Sequence, residues 1–156
     1  MKLLNGKKLS EKILINLKRE IKKSKLKLGL AVVQVGENPI SQIFINQKKK
    51  ACEKVGINFK LFKFPVKISK RKLKKRIKVI IENTTNSGVI IQLPLPKRFL
   101  PEEFLNLIPE KKDIDVLSQE SLGKFYQGNL KILPPTVNGI LYLFKDYKIK
   151  LKGKTL

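Results

Sequence analysis

Apolar residues change period along the chain in a regular order. Leu9, Ile13, Leu17 and Ile21 recur every fourth residue, which predicts an amphipathic helix over about 9–23. Leu28 to Val35 is a near-continuous apolar run closed by Gly36, the pattern of a buried strand. Asn38-Pro39 then supplies an N-cap followed by proline at the first helical position. The helix it opens should run to Val55 and stop at Gly56, a C-terminal glycine. Asn58 to Phe64 alternates as a strand, Ser69 caps a helix with Leu73, Ile77, Ile80 and Ile81 on one stripe, and Gly88 to Gln92 is a further strand. Beyond it the pattern is less regular. Pro101 to Ile108 reads as a short helix, Lys111 to Val116 as a polar turn or edge segment, and Thr136 as the cap of a helix through Ile140, Leu141 and Phe144. Leu151 to Leu156 reads as the lead-in to another strand. Strands alternating with helices of these lengths imply an α/β fold, a parallel sheet with helices on both faces.

Composition narrows the chemistry. A chain of 156 residues is one domain by length. One cysteine, Cys52, excludes an internal disulfide, and the lack of histidine argues against a zinc site, so no metal is expected. Acid–base work near neutral pH must fall to Lys, Asp, Glu or Tyr with shifted pKa values. The first ten residues hold no apolar signal segment and no apolar run reaches membrane-spanning length, so a soluble, cytoplasmic protein is expected. The net charge of +23 raises the question of nucleic acid. The basic residues, however, are spread over every helix and many loops without interleaved aromatics, and no known reader motif is present. Nucleic-acid binding is therefore the lesser reading, and a polyanionic substrate tail the better use for the field.

Three constellations could carry chemistry. In Gly-Val-Ile-Ile-Gln-Leu-Pro-Leu-Pro, residues 88–96, a buried strand ends abruptly at Gln92, before a turn stiffened by Pro94 and Pro96. Open α/β sheets bind ligands at that carboxyl edge, and the Gln92 amide both donates and accepts. In the helix after Asn38-Pro39, Ser41, Phe44, Lys48 and Cys52 fall at i, i+3, i+7 and i+11. There Phe44 would wall a flat heterocycle with the Lys48 ammonium at its edge; the plainer alternative is a core Phe44 beside snorkelling lysines. Asp113-Ile114-Asp115 would send two carboxylates to opposite faces, one binding an amino-pyrimidine edge while the other is solvated; an ordinary acidic turn is the alternative.

In order, these segments resemble the bifunctional methylenetetrahydrofolate dehydrogenase/methenyltetrahydrofolate cyclohydrolase family. VGENPISQIFINQKKKACEKVGI is similar to its VGxxPAS turn and the helix YVxxKxKAC, and GVIIQLPLP to its GILVQLPLP. KDIDV resembles KDVDG, and LPPTVNGI resembles PCTPxGI. The resemblance implies Lys48 as the catalytic lysine, Gln92 as the glutamine touching it and the pterin, and Asp115 as the aspartate holding the amino-pyrimidine edge. Phe44, Ser41, Pro94 and Leu95 would bind substrate. A basic rim would hold the anionic glutamate tail of tetrahydrofolate derivatives, and a homodimer is implied for the full-length protein.

Departures accompany the match. The family's tyrosine is Phe44, which stacks but donates no hydroxyl. The glycine after the second aspartate is Val116, which implies different backbone freedom in the loop over the pocket. No dinucleotide-binding domain follows, so the resemblance implies the folate-binding catalytic half of a longer protein. Residues 1–135 would form that domain, and 136–156 a connecting helix and the start of the next. NADP would belong to the missing part, none binding tightly here. Hydride transfer is not expected of this half alone, although it carries the residues needed for cyclohydrolase chemistry. A non-catalytic folate-binding relic is the competing reading.

Overall fold

The computed structural model describes residues 3–150 and 153. Parallel strands need a crossover between them, and here the crossovers are helical. The order begins α1 (Gly6–Ser24), β1 (Gly29–Val35), α2 (Pro39–Val55), β2 (Asn58–Phe64), α3 (Lys70–Glu82) and β3 (Gly88–Ile91). It continues with α4 (Glu102–Leu105), a 3₁₀ turn at Glu110–Lys112, α5 (Gln119–Tyr126) and α6 (Pro135–Asp146). The three strands form a parallel sheet in the order β2-β1-β3. β1 is central and buried along its whole length, as its continuous apolar run requires.

Each face of the sheet has its own core. Ala31, Val33, Val35, Val89 and Ile91 pack with Leu73, Ile77, Ile80 and Ile81 of α3, and with Leu95, Phe99, Phe104, Leu105 and Ile108 from the later chain. On the other face Leu30, Val32 and Ile90 meet Ile45 and Cys52 of α2 in a smaller cluster. The strands' alternation divides their residues between the two.

Local signals hold where they are self-contained. Asn38 caps α2 by accepting from the Ser41 N–H at 2.9 Å, with Pro39 at the start and Gly56 at φ 87° at the end. Ser69 caps α3 by accepting from the Lys72 N–H. Differences arise at polar ends. α1 starts at Gly6 rather than near residue 9, because Asn5 accepts from the Lys8 N–H and opens a turn that carries no apolar stripe. α6 starts at Pro135 rather than after a Thr136 cap, Pro134 preceding it without a side-chain hydrogen bond. α5 was not anticipated: Ser118 accepts from the Ser121 N–H to open it. Lys111 to Val116 does run along the sheet edge, Asp113 forming a parallel bridge with Val89. The lead-in to a further strand expected at Leu151 to Leu156 falls outside the described residues apart from Gly153.

Candidate active site

Gln92 follows β3 and continues its ladder, its N–H donating to the Val33 carbonyl at 2.8 Å. The chain then turns through a cis Leu93–Pro94 peptide. Ser41, near the start of α2, donates its hydroxyl to the Leu93 carbonyl at 3.1 Å, and so ties the helix to the strand tip. Gly36 makes the neighbouring turn at the tip of β1 with φ 74°, where an added Cβ would lie 2.7 Å from a Val66 methyl. Only glycine meets both demands there.

On this frame Lys48 reaches out from α2. Its Nζ donates to Gln92 Oε1 at 3.2 Å and lies 3.7 Å from Asp115 Oδ2. Gln92 donates its own amide to the Leu93 carbonyl at 2.9 Å, which fixes which atom faces the lysine. Asp115 arrives from the edge segment bridged to β3. Ile114 packs closely over Gly88 there: a Cβ on Gly88 would sit 2.9 Å from an Ile114 methyl. Three elements distant in sequence thus bring one ammonium, one amide and one carboxylate together at the carboxyl end of the sheet.

The electrostatics of this group are uneven. Burial pushes the Asp115 carboxyl above its usual range; the Lys48 ammonium opposes this and the Asp113 charge reinforces it. Desolvation therefore outweighs an ion pair whose 3.7 Å separation exceeds hydrogen-bonding reach. The carboxylate keeps acceptor capacity for a ligand that brings its own donors. Phe44 stands 52% exposed. The core alternative for this ring is thereby excluded, and its face is available for stacking.

The other anticipated residues differ in burial and in what they touch. Leu95 belongs to the α3-side core at 9% exposure, so its side chain serves packing. Ser41 is buried with its hydroxyl engaged, a positioning arrangement. Pro94 is exposed beside the site. Cys52 leaves the constellation for the α2-side core, where burial and then Glu53 raise its thiol. Of the two carboxylates expected on opposite faces, neither is freely solvated: Asp113 is buried, accepting from the N–H groups of Leu117 and Ser118. Val116 takes φ 57°, so the loop keeps a left-handed turn despite lacking a glycine. A β-branched residue there costs about 1–3 kcal/mol of strain. Asp113 and Val116 are visible in the sequence, but the parts they play in the turn depend on a fold-level bridge.

The model of the tetrahydrofolate dehydrogenase/cyclohydrolase catalytic domain matches residues 4–115 of this sequence. The chain belongs to the tetrahydrofolate dehydrogenase/cyclohydrolase family. Bifunctional protein FolD of Nautilia profundicola is 41% identical to this family member over 157 aligned positions, covering 99% of the chain and 55% of the relative. The crystal structure of the bifunctional enzyme FolD from Campylobacter jejuni superposes with a TM-score of 0.92 at 35% identity, covering 99% of this chain and 56% of that one. The bifunctional dehydrogenase/cyclohydrolase of Thermoplasma acidophilum gives 0.88 at 31% identity, covering 94% and 53%. The chain thus spans about half the length of the relatives it matches. Its α/β architecture is that of the family's catalytic domain.

Proposed function

We propose that this chain is the folate-binding catalytic half of a bifunctional methylenetetrahydrofolate dehydrogenase/methenyltetrahydrofolate cyclohydrolase. The observation that carries the reading is the convergence of Lys48 on Gln92 Oε1 and Asp115 Oδ2 at the sheet's carboxyl edge, beside the exposed ring of Phe44. In this reading the pterin lies against Phe44, with Pro94 at its border, while Asp115 accepts from the amino-pyrimidine edge. Ser41 and Leu95 hold the frame. Residues 1–135 make up the folate domain, and 136–156 lead toward the rest of a longer protein. Tetrahydrofolate derivatives are the small-molecule partners, with a homodimer as the full-length assembly and the cytoplasm as its location.

Cyclohydrolase chemistry follows from these side chains. The methenyl bridge is a cationic amidinium carbon. Water adds to it and loses a proton, a ring C–N bond then breaks with protonation of the departing nitrogen, and a formyl group remains. In this reading Lys48 moves protons between that water and the nitrogen, and its hydrogen bond to Gln92 orients the ammonium. Phe44 brings no hydroxyl to this relay, which favours a folate-binding relic as the second reading. NADP would supply hydride acceptance in the longer protein. Among the described residues no strand leads into a Gly-rich turn of the kind that cradles a pyrophosphate, and no hydride step is assigned to them.

The test is methenyltetrahydrofolate hydrolysis by the chain, alone and joined to the remainder of a relative, with tetrahydrofolate binding measured over a salt series. Binding with mild salt dependence plus hydrolysis supports the enzyme. Binding without hydrolysis in either form supports the relic. Steeply salt-dependent binding to DNA or RNA, with none to folate, would reject both.

A further inference from the structure

Asp115 hangs from a short segment that no long element carries. Asp113 anchors that segment: its backbone bridges to Val89, and its N–H donates to the Pro109 and Glu110 carbonyls, each at 3.1 Å. Its carboxylate turns inward and the residue is only 2% exposed. Oδ2 accepts from the Ser118 N–H at 2.8 Å and from the Leu117 N–H at 3.1 Å, the latter shared with Oδ1 at 3.3 Å. No lysine or arginine forms an ion pair with it among the described residues. A buried carboxylate compensated only by amides is a costly way to close a turn, since a neutral acceptor would close it with less desolvation.

We infer that Asp113 is a positioning residue for the folate site: its buried carboxylate pins the turn from Asp115 to Ser118, and its negative charge acts on Asp115 within that same short segment. This rests on the reading of Asp115 as the pterin-binding aspartate. The turn needs pinning because Val116 sits at φ 57° with its side chain 1% exposed. A β-branched residue stays in that region only when its surroundings over-determine it, and the Asp113 carboxylate grips the two amides that follow. The charged groups acting on Asp115 are Lys48 from α2 and Asp113 from its own segment. Nearby Lys112 turns away to the Ile81 and Asn83 carbonyls, and Glu110 is engaged by Lys124. Asp113 thus reinforces the effect of burial in holding the Asp115 carboxyl high, against Lys48.

The experiment is a ¹³C NMR titration of aspartate carboxyls in the full chain, native and Asp113→Asn, paired with tetrahydrofolate binding by calorimetry. The variant loses the repelling charge, so Asp115 should titrate at lower pH than in the native chain. Its folate affinity should fall on the order of tenfold to a hundredfold, the scale of a lost hydrogen bond to a charged group. A folded variant in which the Asp115 titration does not move overturns the inference, because a merely structural Asp113 would leave that curve in place. Amide exchange in the native chain supplies a readout that does not depend on the variant folding. Leu117 and Ser118 should be strongly protected, and exchange at the unstructured rate would equally overturn it. Should the native chain bind no folate while the titration shift appears, the folate reading fails and the coupling of the two carboxylates stands.

Discussion

Two lysines in this chain meet two acidic partners or a mixed pair, and they do so in opposite ways. Lys124 lies between Glu110 at 2.7 Å and Glu120 at 2.8 Å, and the two carboxylates push its pKa up to about 12. Lys48 lies 3.2 Å from a neutral amide oxygen and 3.7 Å from a half-buried carboxylate whose own pKa is raised. The first group is closed: each partner meets the lysine at short range in a solvated setting, and nothing is left for a ligand. The second is open, with long separations, desolvated surroundings and acceptor capacity unspent. Counting ion pairs would rank Lys124 as the important lysine. Geometry ranks Lys48 first, because a site must hold interactions in reserve for its substrate.

The largest test of that contrast is Lys48→Met in the chain joined to the remaining part of a relative. Methenyl hydrolysis should fall by about 10²–10⁴, the range expected for loss of a positioned acid–base group, while tetrahydrofolate still binds. Undiminished turnover would remove the role given to Lys48. Next comes Asp115→Asn, for which calorimetry should show a loss of about 1.5–3 kcal/mol in folate binding, the scale of a hydrogen bond to a charged group. The same variant has a second signature in the unliganded protein. The Asp115 carboxyl is raised above its ordinary 3.8 in the fold, so the folded state holds the proton more tightly than the unfolded chain. Asp115 therefore lowers stability as pH rises from about 3.8 through the folded value. Urea unfolding should find Asp115→Asn more stable than the native chain at neutral pH, the gain vanishing on acidification. A stability loss growing toward neutral pH would show that the ion pair outweighs burial after all.

Smaller effects probe the turn that keeps the pair open. Val116→Gly removes a buried side chain but also relieves the left-handed strain. It should cost about 1–3 kcal/mol less than Val89→Gly, a substitution at an equally buried but unstrained site. Equal losses would mean that the turn is unstrained. The smallest effect is expected at the closed group: Lys124→Met should leave the urea midpoint and folate affinity unchanged within error, exposed ion pairs being worth little.

Much of this is legible in the amino-acid sequence. The α2 cap at Asn38-Pro39, its end at Gly56 and the abrupt stop of β3 at Gln92 are each written in a few neighbouring residues. Lys48 and Gln92 stand out by residue type and position and Asp115 through the family resemblance, and the fold brings the three together. Helical spacing and motif position indicate a general direction without saying how deep a side chain lies; the side chains of Cys52 and Leu95 both pack into cores. α5 was missed because its Ser-Gln-Glu-Ser start follows a stretch with no apolar period. The residue pattern by itself does not separate the two carboxylates, since Asp113 and Asp115 read alike in it.

The chain's own residue order determined the alternation of strands and helices, their principal caps and the chemistry available at the carboxyl edge, because each depends on contacts within a turn or two of backbone. Tertiary structure alone decided which aspartate is buried and which faces the lysine. That choice follows from pairing Val89 with Asp113 and α2 with β3, contacts between segments that no local pattern links. Charge strength likewise emerged only with the fold, since a carboxyl's pKa depends on what excludes water from it and which charges stand beside it.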